Sequence, residues 1–322
     1  MKKILLSVVC LVMVGMQSMK AQTPAAIMLM HQGKATMYSN QELTNAVAAA
    51  EAGDTIFLSN GTYSVMSGLT IDKPISLIGA GQTTVVSGDV TIAIDSTATI
   101  TGRLLDGIKF THSVIFNQSP GGVIIRKCYI PINLWIGANS GSVQADRCYF
   151  RYFNNKESFH HNFSAQNCVI SQLCTSETEY SGNIMFTNCN IGDFEGADYK
   201  IKATFVNCIV RINGEIYNHS SYINSAHNKV NESNYGTFSN CYSASYSFSS
   251  DYGDGFPSFG EGFSAVNLQS AGYLGTDGTI IGAEGGSTPY NLTPSLPTVS
   301  QSSFSVDNST RTLNVTLTVT AE

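Results

Sequence analysis

The sequence predicts an all-β solenoid, a right-handed parallel β-helix with three faces, and three observations carry that prediction. Cysteines recur at positions 128, 148, 168, 189, 208 and 241, in steps of 20, 20, 21, 19 and 33 residues. Apolar residues alternate with a period of two on either side of each cysteine, as on strands that bury one face. Immediately before the cysteine the phase slips by one residue, where Asn167, Asn188, Asn207 and Asn240 stand. Asparagine tolerates the left-handed backbone conformation better than most residues, so it can bend one strand into the next. A unit of about twenty residues cannot bury a core alone, and only stacking closes it.

The chain opens "MKKILLSVVCLVMVGMQSMKAQ". Lys2 and Lys3 precede an apolar run from Ile4 to Met16, and the small residue Ala21 precedes Gln22. That pattern is a secretory signal peptide over residues 1–21, with Cys10 discarded inside it. The expected destination is extracellular, at the cell surface or in the periplasm, and no later run suggests a transmembrane segment. The net charge is −6 with only 12% charged residues, which gives no basic surface for nucleic acid or anionic lipid.

Solenoid residues are expected from 22 to 286, beginning with a helical cap. From Ser39 the sequence reads "SNQELTNAVAAAEAGDTIFLSNGTYSV", in which Leu43, Val47 and Ala50 recur at helical spacing. Ser39 or Asn40 is placed to cap this helix and Gly53 to end it, so the helix would cover the open first coil. "DTIFL" and "LTIDKPISLIGAG" supply the first strands, separated by the turn "SNGTY".

Numbering each repeat from its cysteine gives columns that stack at the interstrand spacing, about 4.8 Å. Three positions before it stand Leu105, Ile125, Ala145, Ala165, Phe186, Phe205 and Phe238. Two after it come Phe110, Ile130, Phe150, Ile170, Ile191, Val210 and Ser243. The cysteines themselves read as small apolar core residues stacked as free thiols. Asp106, Arg126 and Asp146 form a column of alternating charge that the pattern puts on the outer surface, where such pairs contribute roughly 0.2–1 kcal/mol. Residues 133–137 fit a third strand, with Leu134 and Ile136 inward and Trp135 outward.

Beyond the solenoid, residues 287–322 read as a proline-containing linker followed by a short β tail. Pro289, Pro294 and Pro297 stiffen the first part, and "FSVDNSTRTLNVTLTVTAE" alternates on both sides of a turn at "DNST".

"AAAEAGDTIFLSNGTYSV" followed by "LTIDKPISLIGAG" resembles the entry of pectin lyase-like right-handed β-helix proteins. Together with "DGTIIGAEGGSTPYNL" it is similar to secreted β-helix proteins of Bacteroidetes-type bacteria, over about residues 28–290. The resemblance implies fold and export; lyases, hydrolases, esterases and adhesins all occur on this fold, so it implies no one activity. The strings "NTD", "DD" and "GHG" of the related polygalacturonases do not occur, nor do the arginine-containing lyase signatures.

The repeat departs from its pattern after Cys148, in "RYFNNKESFHHNF". Stacking would bring Arg151, Tyr152, Lys156, Glu157 and His160 onto one lateral face with Trp135, Glu177, Arg211 and Glu215. One reading is a solvated edge that keeps the protein soluble. The other is a groove for a polysaccharide or cell-surface glycan, with Trp135 and Tyr152 stacked on sugar faces. Catalysis, as a polysaccharide lyase or glycoside hydrolase, would need a matched acid and base such as Glu157 with Arg151, Lys156 or His160. The expectation is a non-catalytic binding protein, with a structural or adhesin-like module as the other non-enzymatic alternative. No cofactor is expected: "DYGDG" lacks the ligand spacing of a calcium loop, and the adjacent His160 and His161 would point to opposite sides of a strand.

Overall fold

A computed structural model describes residues 26–100, 102–155, 162–175, 183–195, 203–210, 236–243, 269, 272–293, 298–307 and 312–320. The chain winds into a parallel β-solenoid whose coils stack in the register that the cysteines define. Leu105 lies beside Ile125, then follow Ala145, Ala165, Phe186, Phe205 and Phe238, each paired with the next. After the corner Ile130, Phe150, Ile170, Ile191, Val210 and Ser243 form the second ladder. Arg103 breaks the first pattern by pairing with Ile124 across a register shift.

The corners are left-handed, as the asparagines predict. Lys127, Arg147, Asn167, Asn188, Asn207 and Asn240 have φ between 49° and 53°. Lys127 and Arg147 show that the position demands the conformation even where the side chain does not favour it.

The cysteines are free, buried and stacked. Their sulphurs do more than fill space. Just before each corner a carbonyl accepts the corner N–H of the coil before (Arg147 N to Gln166 O at 2.9 Å, Asn167 N to Thr187 O at 3.1 Å), and the following thiol donates to it as well. Cys168 Sγ is 3.2 Å from Gln166 O and Cys189 Sγ is 3.3 Å from Thr187 O. The same sulphurs approach the coil before, at Ala145 O (3.5 Å) and Ala165 O (3.4 Å). A small residue with a weak donor adds a second bond to these carbonyls, which alanine or valine could not supply.

The charged column requires a correction. Arg126 and Asp106 are 8% and 5% exposed, not surface residues, and pair through two nitrogens. Arg126 Nε is 3.2 Å from both carboxylate oxygens and Nη2 is 2.9 Å from Oδ2. Asp146 turns instead to its neighbour Arg147, at 2.7 Å, because the left-handed corner swings that side chain alongside. Removing either partner of the Asp106–Arg126 pair would strand a buried charge.

At the N-terminal end the helix is short, Leu43–Ala49, with Leu43, Ala46 and Val47 in the solenoid core. Neither Ser39 nor Asn40 is its cap. Ser39 donates from its backbone and hydroxyl to Glu42 Oε2 (2.9 and 2.7 Å), closing a turn before the first helical bond, Ala46 N to Glu42 O. The helix also ends before Gly53, and Lys73 Nζ reaches the carbonyls of Ala48 and Ala50 at 2.7 and 2.8 Å. A hairpin that the alternation did not reveal shares the end-covering role. Ala26–His31 pairs antiparallel with both Lys34–Ser39 and the first-coil strand Thr55–Leu58. Its two turn residues, Gln32 and Gly33, have the positive φ of a tight hairpin turn.

A second feature links residues far apart in sequence. Residues 272–293 run back along the outer wall over the asparagine corners. Asn240 Nδ2 donates to Leu274 O (2.9 Å), and Asn207 Oδ1 accepts from Thr276 N (3.0 Å). Further along, Asn190 Oδ1 accepts from Ala283 N (3.0 Å), and Asn167 Nδ2 donates to Ala283 O (2.9 Å). Gly282 (φ +81°) lies so close that a Cβ there would collide with the Asn190 side chain. Ala283, Tyr290 and Leu292 then form a small second core with Tyr129, Tyr149 and Val169. The two tyrosine rings stack at 4.7 Å and 17°. These residues occupy the column after the cysteines that alternation assigns to the outside. The strap explains why they are buried there.

The tail forms an antiparallel pair, Thr298–Asp307 with Thr312–Thr320, about the predicted turn.

Two outcomes are expected. Burial pushes the thiols of Cys128, Cys148, Cys168 and Cys189 well above their ordinary range. A water-soluble maleimide should therefore spare them in the folded protein and modify them after denaturation. A folded-state pKa above the unfolded one gives stability that is complete below pH about 8.5 and declines as the pH rises further, since only the unfolded chain then ionises. Urea unfolding at pH 8 and pH 10 measures that decline. Second, Asn207→Ala should lower stability by about 2–4 kcal/mol, combining a left-handed alanine with lost buried hydrogen bonds. Asn207→Gly keeps the corner and should lose less, which urea midpoints of the two variants compare.

Candidate functional site

The third face of the solenoid begins at a second corner, and its position is set by the spacing of inward residues. Phe150 and Phe153 both point into the core, three residues apart, as do Ile170 and Leu173. Arg151 and Tyr152 fall between them and turn outward, half-buried. One coil earlier, Pro131 and Ile132 occupy the space that Arg151 alone fills, so the register shifts between Ile130 and Asn133. A bulge of this kind re-aims the side chains beyond it. Leu134 and Ile136 point inward as the sequence predicts, and Trp135 outward and half-buried.

Beyond the bulge the outward positions are in register. Asn133 pairs with Tyr152 and then Gln172, while Trp135 stands between Ile115 and Asn154. Trp135 and Tyr152 are therefore diagonal neighbours on one wall, with the Asn133 and Gln172 positions beside them. The Arg151 guanidinium lies 4.8 Å from the centre of the Tyr152 ring, a cation–π contact that holds both side chains along the wall. Gly137 follows on the same strand, where a Cβ would come within 2.9 Å of Phe116 O.

Three of the sequence-derived site residues, Trp135, Arg151 and Tyr152, are thus brought together. Lys156, Glu157, His160, Glu177, Arg211 and Glu215 lie outside the described residues, and so does the acid–base pairing that catalysis would require. Among the described residues no group of three or more histidines, cysteines, aspartates or glutamates is placed to hold a metal ion. No helix among them is long and apolar enough to cross a membrane.

Sequence reasoning overlooked the N-terminal continuation of this wall. Thr70, Thr91, Ile115 and Trp135 form one outward ladder, each beside the next on successive coils. Next to its first three members is an open cavity of about 600 Å³, whose lining includes Met66, Asp89 and His112. These residues sit in turns between strands, without the periodicity that identified the rest. The glycines Gly68 (φ +84°) and Gly88 (φ +134°) shape those turns and were the available signal.

Fold and surface together define a class: a parallel β-solenoid with an aromatic lateral wall. Comparison with protein-family models, curated proteins and solved structures finds no match.

The sequence holds a single tryptophan, so its fluorescence reports on this wall alone. Acrylamide should quench the native emission to a level between those of a buried and a free indole. Stern–Volmer plots before and after denaturation measure that difference.

Proposed function

We propose that the protein is an exported β-helix that binds glycan along its third face without cleaving it. The observation that carries this reading is the alignment of Trp135 and Tyr152 as outward neighbours, with Arg151 against Tyr152. An aromatic ring on a rigid wall can offer an apolar face to the C–H side of a sugar. The amides at positions 133 and 172 match sugar hydroxyls, and the guanidinium suits a carboxylate or sulfate on an acidic glycan. Strands place these groups more rigidly than loops would, so little ordering cost falls on binding.

The signal sequence supports export, since a protein carried to the cell exterior meets polysaccharide there. The resemblance to pectin lyase-like proteins adds a precedent of fold, and the secreted Bacteroidetes-type likeness is consistent with a surface or periplasmic role. The reading needs neither cofactor nor metal.

Titration with pectic, alginate and glycosaminoglycan oligosaccharides should shift Trp135 emission saturably for at least one of them. Tyr152→Ala should weaken that binding by roughly threefold to tenfold, the scale of one aromatic contact. Absorbance near the conjugated-alkene band and a reducing-end assay on the same mixtures should stay flat. Product formation would overturn the non-catalytic reading.

A further inference from the structure

We infer that the cavity at the N-terminal end of the third face is a subsite for an uncharged saccharide residue, reached by the same chain that stacks on Trp135. The inference rests on the glycan-binding reading and extends it to a second site and a sugar class.

Register supplies the connection. The ladder Thr70, Thr91, Ile115, Trp135 rises one coil at a time, at about 4.8 Å per step, so the cavity and the indole are some 10–14 Å apart along one wall. A pyranose residue advances an extended polysaccharide by nearly one coil spacing. One chain can therefore meet both places.

Chemistry supplies the class. At about 600 Å³ the cavity has the size of an ordinary small-molecule site. Its lining combines apolar patches, Met66 and Ile115, with hydroxyls such as those of Ser87 and Thr91. The charged member of the lining is a carboxylate, Asp89, and it contains neither lysine nor arginine. An acidic sugar would face repulsion there with no cation to offset it. A neutral sugar finds an acceptor in Asp89 and an imidazole in His112.

Both groups are held in place by the turn itself. Asp89 Oδ1 accepts from Ser113 N at 3.0 Å, which leaves its other oxygen for a ligand hydroxyl. His112 Nδ1 lies 2.8 Å from Thr111 Oγ1, which directs Nε2 away from that contact. Met66, 94% exposed, stands at the rim and adds an apolar edge to the cavity. Gly88 keeps the turn tight, since a Cβ there would collide with Val65 O.

The test compares neutral and acidic oligosaccharides of two to six residues, read by Trp135 emission and by the His112 imidazole proton resonances, assigned with His112→Ala. The expected result is affinity for neutral chains that rises with length until cavity and indole are both spanned, with the His112 signals shifting on binding. Asp89→Asn and His112→Ala should then weaken the long neutral chains by about tenfold and leave the shortest unaffected. If Trp135 responds but is indifferent to chain length and to both variants, the subsite is overturned while glycan binding on the wall stands. The same holds if only acidic chains bind and the His112 signals stay still. If no sugar moves Trp135 or His112, both readings fall.

Discussion

At the corner before each cysteine, one residue with φ near 50° carries the chain from one face of the solenoid to the next. Corners stack on one another, each corner N–H donating at 2.9–3.1 Å to the carbonyl just before the next corner, and the thiol behind that corner donates to the same carbonyl at 3.2–3.4 Å. The rest of the molecule depends on this arrangement. With the corner fixed at the same place in every coil, the strands before and after it must lie in register. A one-residue slip would turn every core side chain to solvent. Cysteine fits because it combines small volume, apolar character and a weak donor, properties that no other residue of its size shares.

The corners also hold the outside of the solenoid together. The side chains of Asn167, Asn207 and Asn240, having little left to do for the bend itself, bond to the backbone of residues 272–293. One residue type thus serves two layers: its backbone turns the coil and its amide anchors the strap. The second core of Tyr129, Tyr149, Val169, Ala283, Tyr290 and Leu292 follows from that anchoring. A wall that would otherwise show stacked aromatic rings to water is closed. The third face carries no such cover among the described residues, and its aromatic side chains remain half-exposed. The contrast between a wall that is strapped and one that is open is the reason the open wall is the one proposed to take a ligand.

Part of this was legible in the sequence. Trp135 was assigned outward and Leu134 and Ile136 inward from alternation alone, because a strand offers two sides and the core claims one. The left-handed corner was legible at Asn167 and its equivalents, and hidden at Lys127 and Arg147, whose chemistry gives no hint of it. Asp106 and Arg126 were misplaced on the surface, since alternation tells which side a residue takes but not what covers that side. The cavity beside Asp89 and His112 was invisible because turns carry no period, and only glycines mark where the backbone folds back.

The sequence by itself determined the coil: its length, its corner, its inward columns and its all-parallel stacking. These are local and repetitive, so each copy of the repeat reports the same physics. Tertiary structure alone decided which outer wall is buried and which groups meet across it. The strap comes from residues far beyond the coils it covers, the bulge at Pro131 shifts the third face by one position, and the ladder from Thr70 to Trp135 joins four coils. Such neighbours are set by how coils stack and where the chain returns, and a contact between residues so distant in sequence leaves no spacing to read.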